Sequence, residues 1–218
     1  MKTEDLIANL ASQVEAVRPL PPPPARLFQW SLLAVVNAAA GIALFGARPD
    51  LASALGQPVF QATLVLALGT AILSAAAALV LAIPAAERVP VARTTAAILA
   101  GLWLTTLVVA IVRAGSALAF GSHEAACFSR AAGIGLVPGG VLFVMLRRAL
   151  PLRLAWAGGL AAAAATAAGA LAVQIICPID DPAHALAGHF GPVAALGAVG
   201  AALAGQLLEK RADIERRR

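Results

Sequence analysis

Six stretches of this chain are apolar, almost free of charge and about twenty residues long. They cover residues 27–46, 59–83, 95–112, 128–146, 154–177 and 189–208. A helix needs about 17–25 such residues to cross the hydrocarbon of a bilayer. Uninterrupted apolar runs of that length read as spans. Composition agrees. The 218 residues are 61% hydrophobic and 12% charged, against roughly 45–50% and 25% in soluble domains. That excludes disorder and argues against a soluble domain. Alanine and leucine supply the excess, while aromatics make up only 5% and tyrosine is absent. The expected fold class is all-α: a polytopic bundle of six transmembrane helices packed through small residues.

The fourth stretch carries Arg130 near one end and the run of Gly133, Gly135, Pro138, Gly139 and Gly140. Proline inside a lipid helix is tolerated when a neighbour satisfies the carbonyl it frees, and a kink is expected there. Six spans place both termini on one side. The net charge of +5 in a soluble protein would suggest nucleic acid. Here position explains it. With the termini in the cytoplasm, 13 of the 16 basic residues face inward, and only Arg48, Arg113 and Arg130 lie outside. Basic residues concentrate on the cytoplasmic side of membrane proteins. The orientation follows, with a basic tail at 209–218 and direct nucleic-acid binding excluded.

The outer loops, about 47–58, 113–127 and 178–188, are too short to fold as domains. Residues 1–26 contain no apolar core of signal-peptide length. No charge falls in the central part of any span, which counts against a pump or ion-coupled transporter. The polar residues well inside spans include Asn37, Thr70, Ser74, Thr105, Thr106, Thr166 and Gln174. They are expected to bond between helices.

Residues 3–17 read as a short amphipathic helix capped by Thr3, with Glu4 and Asp5 at its positive end. Leu6, Ile7, Leu10, Val14 and Val17 form one apolar face. A helix this short is marginal alone in water. Either it lies on the membrane or under the bundle, or its face docks in a groove of a cytoplasmic partner. Its few basic residues make anionic lipid a poor ligand. Five prolines between Arg18 and Pro24 favour polyproline II. Residues 18–26 therefore read as a semi-rigid linker.

The two cysteines, Cys127 and Cys177, fall where the fourth span begins and the fifth ends. Antiparallel neighbours would bring these outer ends together. A disulfide is permitted on that side of a bacterial inner membrane. All three histidines, His123, His184 and His189, lie on the same side. His123 precedes Cys127 by four residues, a spacing that shares a helix face and suits a soft metal. The pair is either a static disulfide, two buried small thiols, or a redox- or metal-responsive pair. No C-x-x-C, phosphate-binding glycine loop, paired-histidine metalloprotease motif or G-x-S-x-G is present. No catalytic constellation is visible, and the chain does not read as an enzyme.

Several short motifs follow one another in order. The chain opens Met1-Lys2-Thr3-Glu4-Asp5-Leu6-Ile7 and passes through Val17-Arg18-Pro19-Leu20 into prolines. The first outer loop contains Arg48-Pro49-Asp50, and Cys127 precedes the fourth span. Cys177 opens the run Cys177-Pro178-Ile179-Asp180-Asp181-Pro182. In this order and spacing the chain resembles the NrsF family, negative regulators of an extracytoplasmic-function sigma factor in proteobacteria. The resemblance covers nearly the whole chain. It implies six spans in the inner membrane, a cytoplasmic N-terminal segment that sequesters the sigma factor, and two outer cysteines needed for the response to stress. By that resemblance residues 1–17 carry sigma binding, and Cys127 and Cys177 carry sensing. From the apolar face, Leu6, Ile7, Leu10 and Val14 are the expected partner contacts. His123 and His184 are candidate auxiliary or metal-holding groups.

The leading expectation is an integral membrane anti-sigma factor. It releases its sigma factor when the outer cysteines sense metal or oxidative stress. No resident cofactor is expected, only a transient metal ion at Cys127 and Cys177. The partners are the sigma factor and the bilayer. The alternative is a small-solute or metal transporter, which would need a polar path built from uncharged groups. A membrane thiol oxidoreductase would need a second cysteine pair or a quinone.

Overall fold

A computed structural model describes residues 3–12, 19–83, 91–149, 151 and 153–216. Among these residues there are helices and loops and no strand. Six helices are long and apolar enough to cross a membrane: Pro23–Phe45, Pro58–Leu81, Arg93–Ala114, Ser122–Ala149, Leu154–Ile176 and Pro182–Gln206. In chain order the elements are α1 (Thr3–Ser12), α2 (Pro23–Phe45), α3 (Leu51–Ala54), α4 (Pro58–Leu81), α5 (Val91–Ala114), α6 (Ser122–Ala149), α7 (Leu154–Ile176) and α8 (Pro182–Ala185). A single π-helical turn (Leu186–Phe190) then leads into α9 (Gly191–Arg216).

The ends of several helices differ from the expected spans for local reasons. α2 starts at Pro23, inside the stretch read as linker, after an extended Pro22. Proline suits the first helical turn because its missing N–H would be unpaired there anyway. α2 stops at Gly46, whose φ of 80° is a conformation glycine adopts without strain. The first helix ends at Ser12 within the described residues. Val14 and Val17 lie outside them.

Helix α7 is the centre of the bundle. It packs against α2, α4, α6 and α9, and 13 of its 23 residues are buried. α2 has the same length but buries only Arg26, Trp30, Ala34 and Gly41. Small residues make this centrality sterically feasible. A Cβ at Gly135 on α6 would sit 2.8 Å from the carbonyl oxygen of Ala165 on α7. A Cβ at Gly169 would overlap the carbonyl oxygen of Ala131. On the other side of α7, a Cβ at Gly200 of α9 would stand 2.7 Å from the Gly158 carbonyl oxygen. Lipid tails are as apolar as leucine, so helix association there relies on such close packing. Large apolar side chains, including Phe28, Val35, Leu44, Val65, Val112 and Leu136, point outward instead. A soluble surface rarely carries so many together.

Helix α6 runs unbroken through Pro138. Proline at that position removes the N–H that would pair with the Ile134 carbonyl. Asn37 on α2 donates its side-chain amide to that same carbonyl. One turn on, Trp30 donates its indole N–H to the Pro138 carbonyl at 2.9 Å, and Arg26 donates to the Met145 carbonyl. Three side chains of α2 thus bond the backbone of α6 along its length. Other intramembrane polar groups behave differently from expectation. Thr105, Thr106 and Thr166 donate to carbonyls of their own helices four residues back, a reach natural to a threonine hydroxyl. Of the residues expected to bond between helices, Asn37 does so, as does Gln174, whose side-chain oxygen accepts from Thr63.

Gly169→Ala is expected to destabilise the detergent-purified protein by about 1–3 kcal/mol of overpacking and so to lower its melting temperature. Gly101→Ala, where nothing lies within 4 Å of a new Cβ, should leave it unchanged. Thermal unfolding followed by circular dichroism checks both.

Candidate functional site

Cys127 lies in the second turn of α6, and Cys177 caps the C-terminus of α7. The α6–α7 crossing sets these two ends side by side, with the sulfurs 3.5 Å apart. Both side chains are free thiols and both are buried. A disulfide needs a sulfur separation of about 2.05 Å, so closure asks for a shift of only ~1.5 Å.

Two histidines complete the cluster. His184 Nε2 lies 3.3 Å from Cys177 Sγ, and His184 Nδ1 lies 2.8 Å from Glu124 Oε1. A carboxylate only accepts hydrogen bonds, so Nδ1 carries a proton and donates it to Glu124. Glu124 is held in turn. Its other oxygen accepts the Gly121 backbone N–H at 2.8 Å, the reciprocal bond of a helix start. The His184 backbone N–H donates to Asp181 at 3.2 Å and so begins α8.

His189 lies in the π-helical turn, five residues after His184. On a regular α-helix that spacing would set the two rings about 140° apart. The wider π turn, a form often found at functional sites, brings them edge to face at 5.5 Å. Gly188 lets this turn lie against α6, because a Cβ there would stand 3.0 Å from Cys127 Cβ. The donor atoms of Cys127, Cys177, His184 and His189 all lie within 4.8 Å of one another. Two thiols and two imidazoles suit a soft cation.

A third group of residues fixes the loop that carries Cys177. Arg48 is buried and grips two carboxylates. Its guanidinium donates to both oxygens of Asp50 at 2.8 and 2.7 Å, and to both of Asp180 at 2.7 and 2.8 Å. Its backbone N–H donates to the Ile175 carbonyl at 2.9 Å, two residues before Cys177. The bonds to Asp50 and Asp180 raise the Arg48 pKa and keep it charged. Arg48 in return holds Asp50 below its ordinary range.

The expected site residues are thus distributed as follows. Cys127, Cys177 and His184 come together, and His123 is exposed and stands outside the group. Helical spacing does put His123 one turn before Cys127, but Glu124 is the residue of that turn that reaches His184. His189 and the Arg48 clamp were not picked out as site residues from sequence. Only the Arg48-Pro49-Asp50 and Asp180 motifs signalled the latter. Leu6, Ile7 and Leu10 of α1 are exposed, and no residue of that helix is buried. Val14 lies outside the described residues.

Fold and site together define a multi-pass membrane protein with an exposed helical head and a buried thiol–imidazole cluster. The family model described as NrsF, negative regulator of sigma F, matches residues 10–209. The chain belongs to this family of anti-sigma factors, whose role is regulatory and whose partner is a sigma factor. The match includes Leu10, the Arg48 clamp and all four cluster residues. No curated protein and no solved structure matches the chain.

Replacing Arg48 with Ala is expected to free the Cys177 loop and raise the rate at which maleimide labels Cys177. Asp50→Asn should lower the melting temperature at neutral pH. Because the folded pKa of Asp50 is depressed, its contribution is present above the unfolded value of about 4 and is lost as pH falls through the folded value. The difference between parent and variant should therefore close in acid. Melting curves across pH check this.

Proposed function

We propose that this protein is an inner-membrane anti-sigma factor. It holds an extracytoplasmic-function sigma factor through its N-terminal helix and lets go when its outer thiols are consumed. The observation that carries this reading is the clustering of Cys127, Cys177, His184 and His189 within 4.8 Å, at the end of the bundle opposite the start of α2. A soft cation would draw on both thiolates and both imidazoles. A two-electron oxidant would join the sulfurs. The 13-to-3 division of basic residues supports placing the head in the cytoplasm and the cluster outside.

Leu6, Ile7 and Leu10 offer an exposed apolar face that no described residue buries. In complex they lie in a groove of the sigma factor and keep it from RNA polymerase. A route from cluster to head follows from the packing. Cys127 rides on α6, and α6 is bonded to α2 through Asn37, Trp30 and Arg26. α2 continues into the linker and head. A ~100-fold fall in sigma affinity needs about 2.7 kcal/mol of coupling. One disulfide is typically worth about 2–4 kcal/mol, which is sufficient.

Cys127→Ser and Cys177→Ser should each abolish release of the sigma factor by zinc and by oxidant while leaving sequestration intact. A sigma-dependent reporter measures this, and a parental response in both variants would overturn the sensing role. A chain lacking residues 1–17 should leave the sigma factor in the soluble fraction. Trp30→Phe, which removes one α2–α6 hydrogen bond, should weaken the response without touching either thiol.

A further inference from the structure

One arginine on the membrane-spanning part of α6 has no counter-charge. Arg130 lies eight residues after the start of that helix at Ser122 and is half-buried. Among the described residues no carboxylate pairs with it. Its guanidinium carbon lies 5.1 Å from the centre of the Phe45 ring on α2. A cation within ~6 Å of a ring is attracted to its face, but that contact engages no N–H donor in a hydrogen bond. Charged side chains at membrane depth are costly and are normally paired. Arg48, by contrast, is matched by Asp50 and Asp180.

Arg130 stands at the mouth of a groove of about 570 Å³ between α2 and α6. Ligand sites commonly hold ~300–1,000 Å³. Phe45 is the last residue of α2, so the mouth lies at the end of that span. From there the groove follows α2 back to Asn37, about 12 Å deeper at the rise of a helix. No acidic residue lines it. Its other polar side chains are engaged, since Asn37 donates to the Ile134 carbonyl and Ser129 to the Ala126 carbonyl. Below the arginine the wall is small and apolar. Gly133 is exposed, with nothing within 4 Å of an added Cβ, so a larger side chain there would enter the groove. A second groove, of about 410 Å³ between α6, α7 and α9, has no charged residue in its lining.

A lone cation at the mouth and an apolar slot below it match the layout of a phospholipid, phosphate above and acyl chain beneath. Net charge selects within that class. A zwitterionic headgroup brings its own cation, whereas an anionic one leaves its charge to the arginine. Guanidinium N–H groups suit phosphate oxygens, and basic pockets between membrane helices hold such headgroups. A second copy of the chain is a poorer occupant, because no span contains a carboxylate to offer Arg130. We propose that the groove between α2 and α6 binds one anionic phospholipid, its phosphate on Arg130 and an acyl chain along Gly41 and Gly133.

The test uses the full chain, purified in detergent and stripped of lipid. Native mass spectrometry follows its titration with dioleoyl phosphatidylglycerol and with dioleoyl phosphatidylcholine. The parent is expected to hold one phosphatidylglycerol at least ~tenfold more tightly than phosphatidylcholine, the difference that one charge-assisted hydrogen bond supplies. Arg130→Gln should abolish that preference. Gly133→Leu should weaken phosphatidylglycerol binding with the arginine intact. Gly140→Leu in the second groove, where an added Cβ also meets nothing, should leave it unchanged, as should Arg113→Gln on α5. Equal retention of the two lipids by the parent overturns the proposal without reference to any variant. A loss in Arg113→Gln equal to that in Arg130→Gln also overturns it, since the response would then be to charge in general. A parent dimer that Gly133→Leu dissociates assigns the groove to a second copy, and full displacement of the lipid by inorganic phosphate assigns it to the free anion; either overturns the lipid site. The anti-sigma reading stands under every one of these outcomes.

Discussion

The position of every functional group here depends on how closely α7 can be approached. In lipid no hydrophobic force drives one helix against another, so association depends on packing and hydrogen bonds. Gly169 and Gly135 on one side, and Gly158 and Gly200 on the other, let backbone meet backbone. Helix α7 can then be surrounded by α2, α4, α6 and α9 at once. Its C-terminal end is pinned beside the start of α6, and that is what sets Cys177 against Cys127.

Polar chemistry is concentrated where this packing ends. Arg48 ties the loop after α2 to the loop after α7 through four charge-assisted bonds. Such bonds are stronger than neutral ones, and they hold the Cys177 loop against the bundle. On the facing side, Glu124 serves two masters: it closes the start of α6 and orients His184. The thiols therefore sit in a surround held by groups at the ends of the helices and in the loops between them. Deeper in, Pro138 opens a backbone carbonyl and Asn37 fills it. A local defect in α6 becomes a bond to α2, and the helix that carries Cys127 is joined to the one that leads to the head.

That arrangement suits a regulator better than a transporter. The bonds across the bundle link helices end to end, and the small-residue crossings at α7 leave little freedom to slide without consequence. A shift of about 1.5 Å between sulfurs would be passed on by a tightly packed core, because interiors transmit strain. The head itself contributes little to the bundle, with α1 exposed along its length. Its apolar face is exposed surface.

Much of this was legible in the sequence because it depends on one-dimensional patterns. Long uncharged runs set the number of spans. The resemblance and the span ends drew attention to Cys127 and Cys177. Periodicity failed where the backbone departs from the regular α-helix. His189 could not be paired with His184 until the π turn rotated it into the cluster, and His123, correctly spaced from Cys127, points away to the exposed surface. Arg48 and Asp180 are 132 residues apart, and no local rule joins them. Thus the sequence by itself determined which segments enter the membrane, since transfer of apolar side chains is a property of each segment. The tertiary structure alone decided which side chains meet, because that depends on how nearly two backbones can approach.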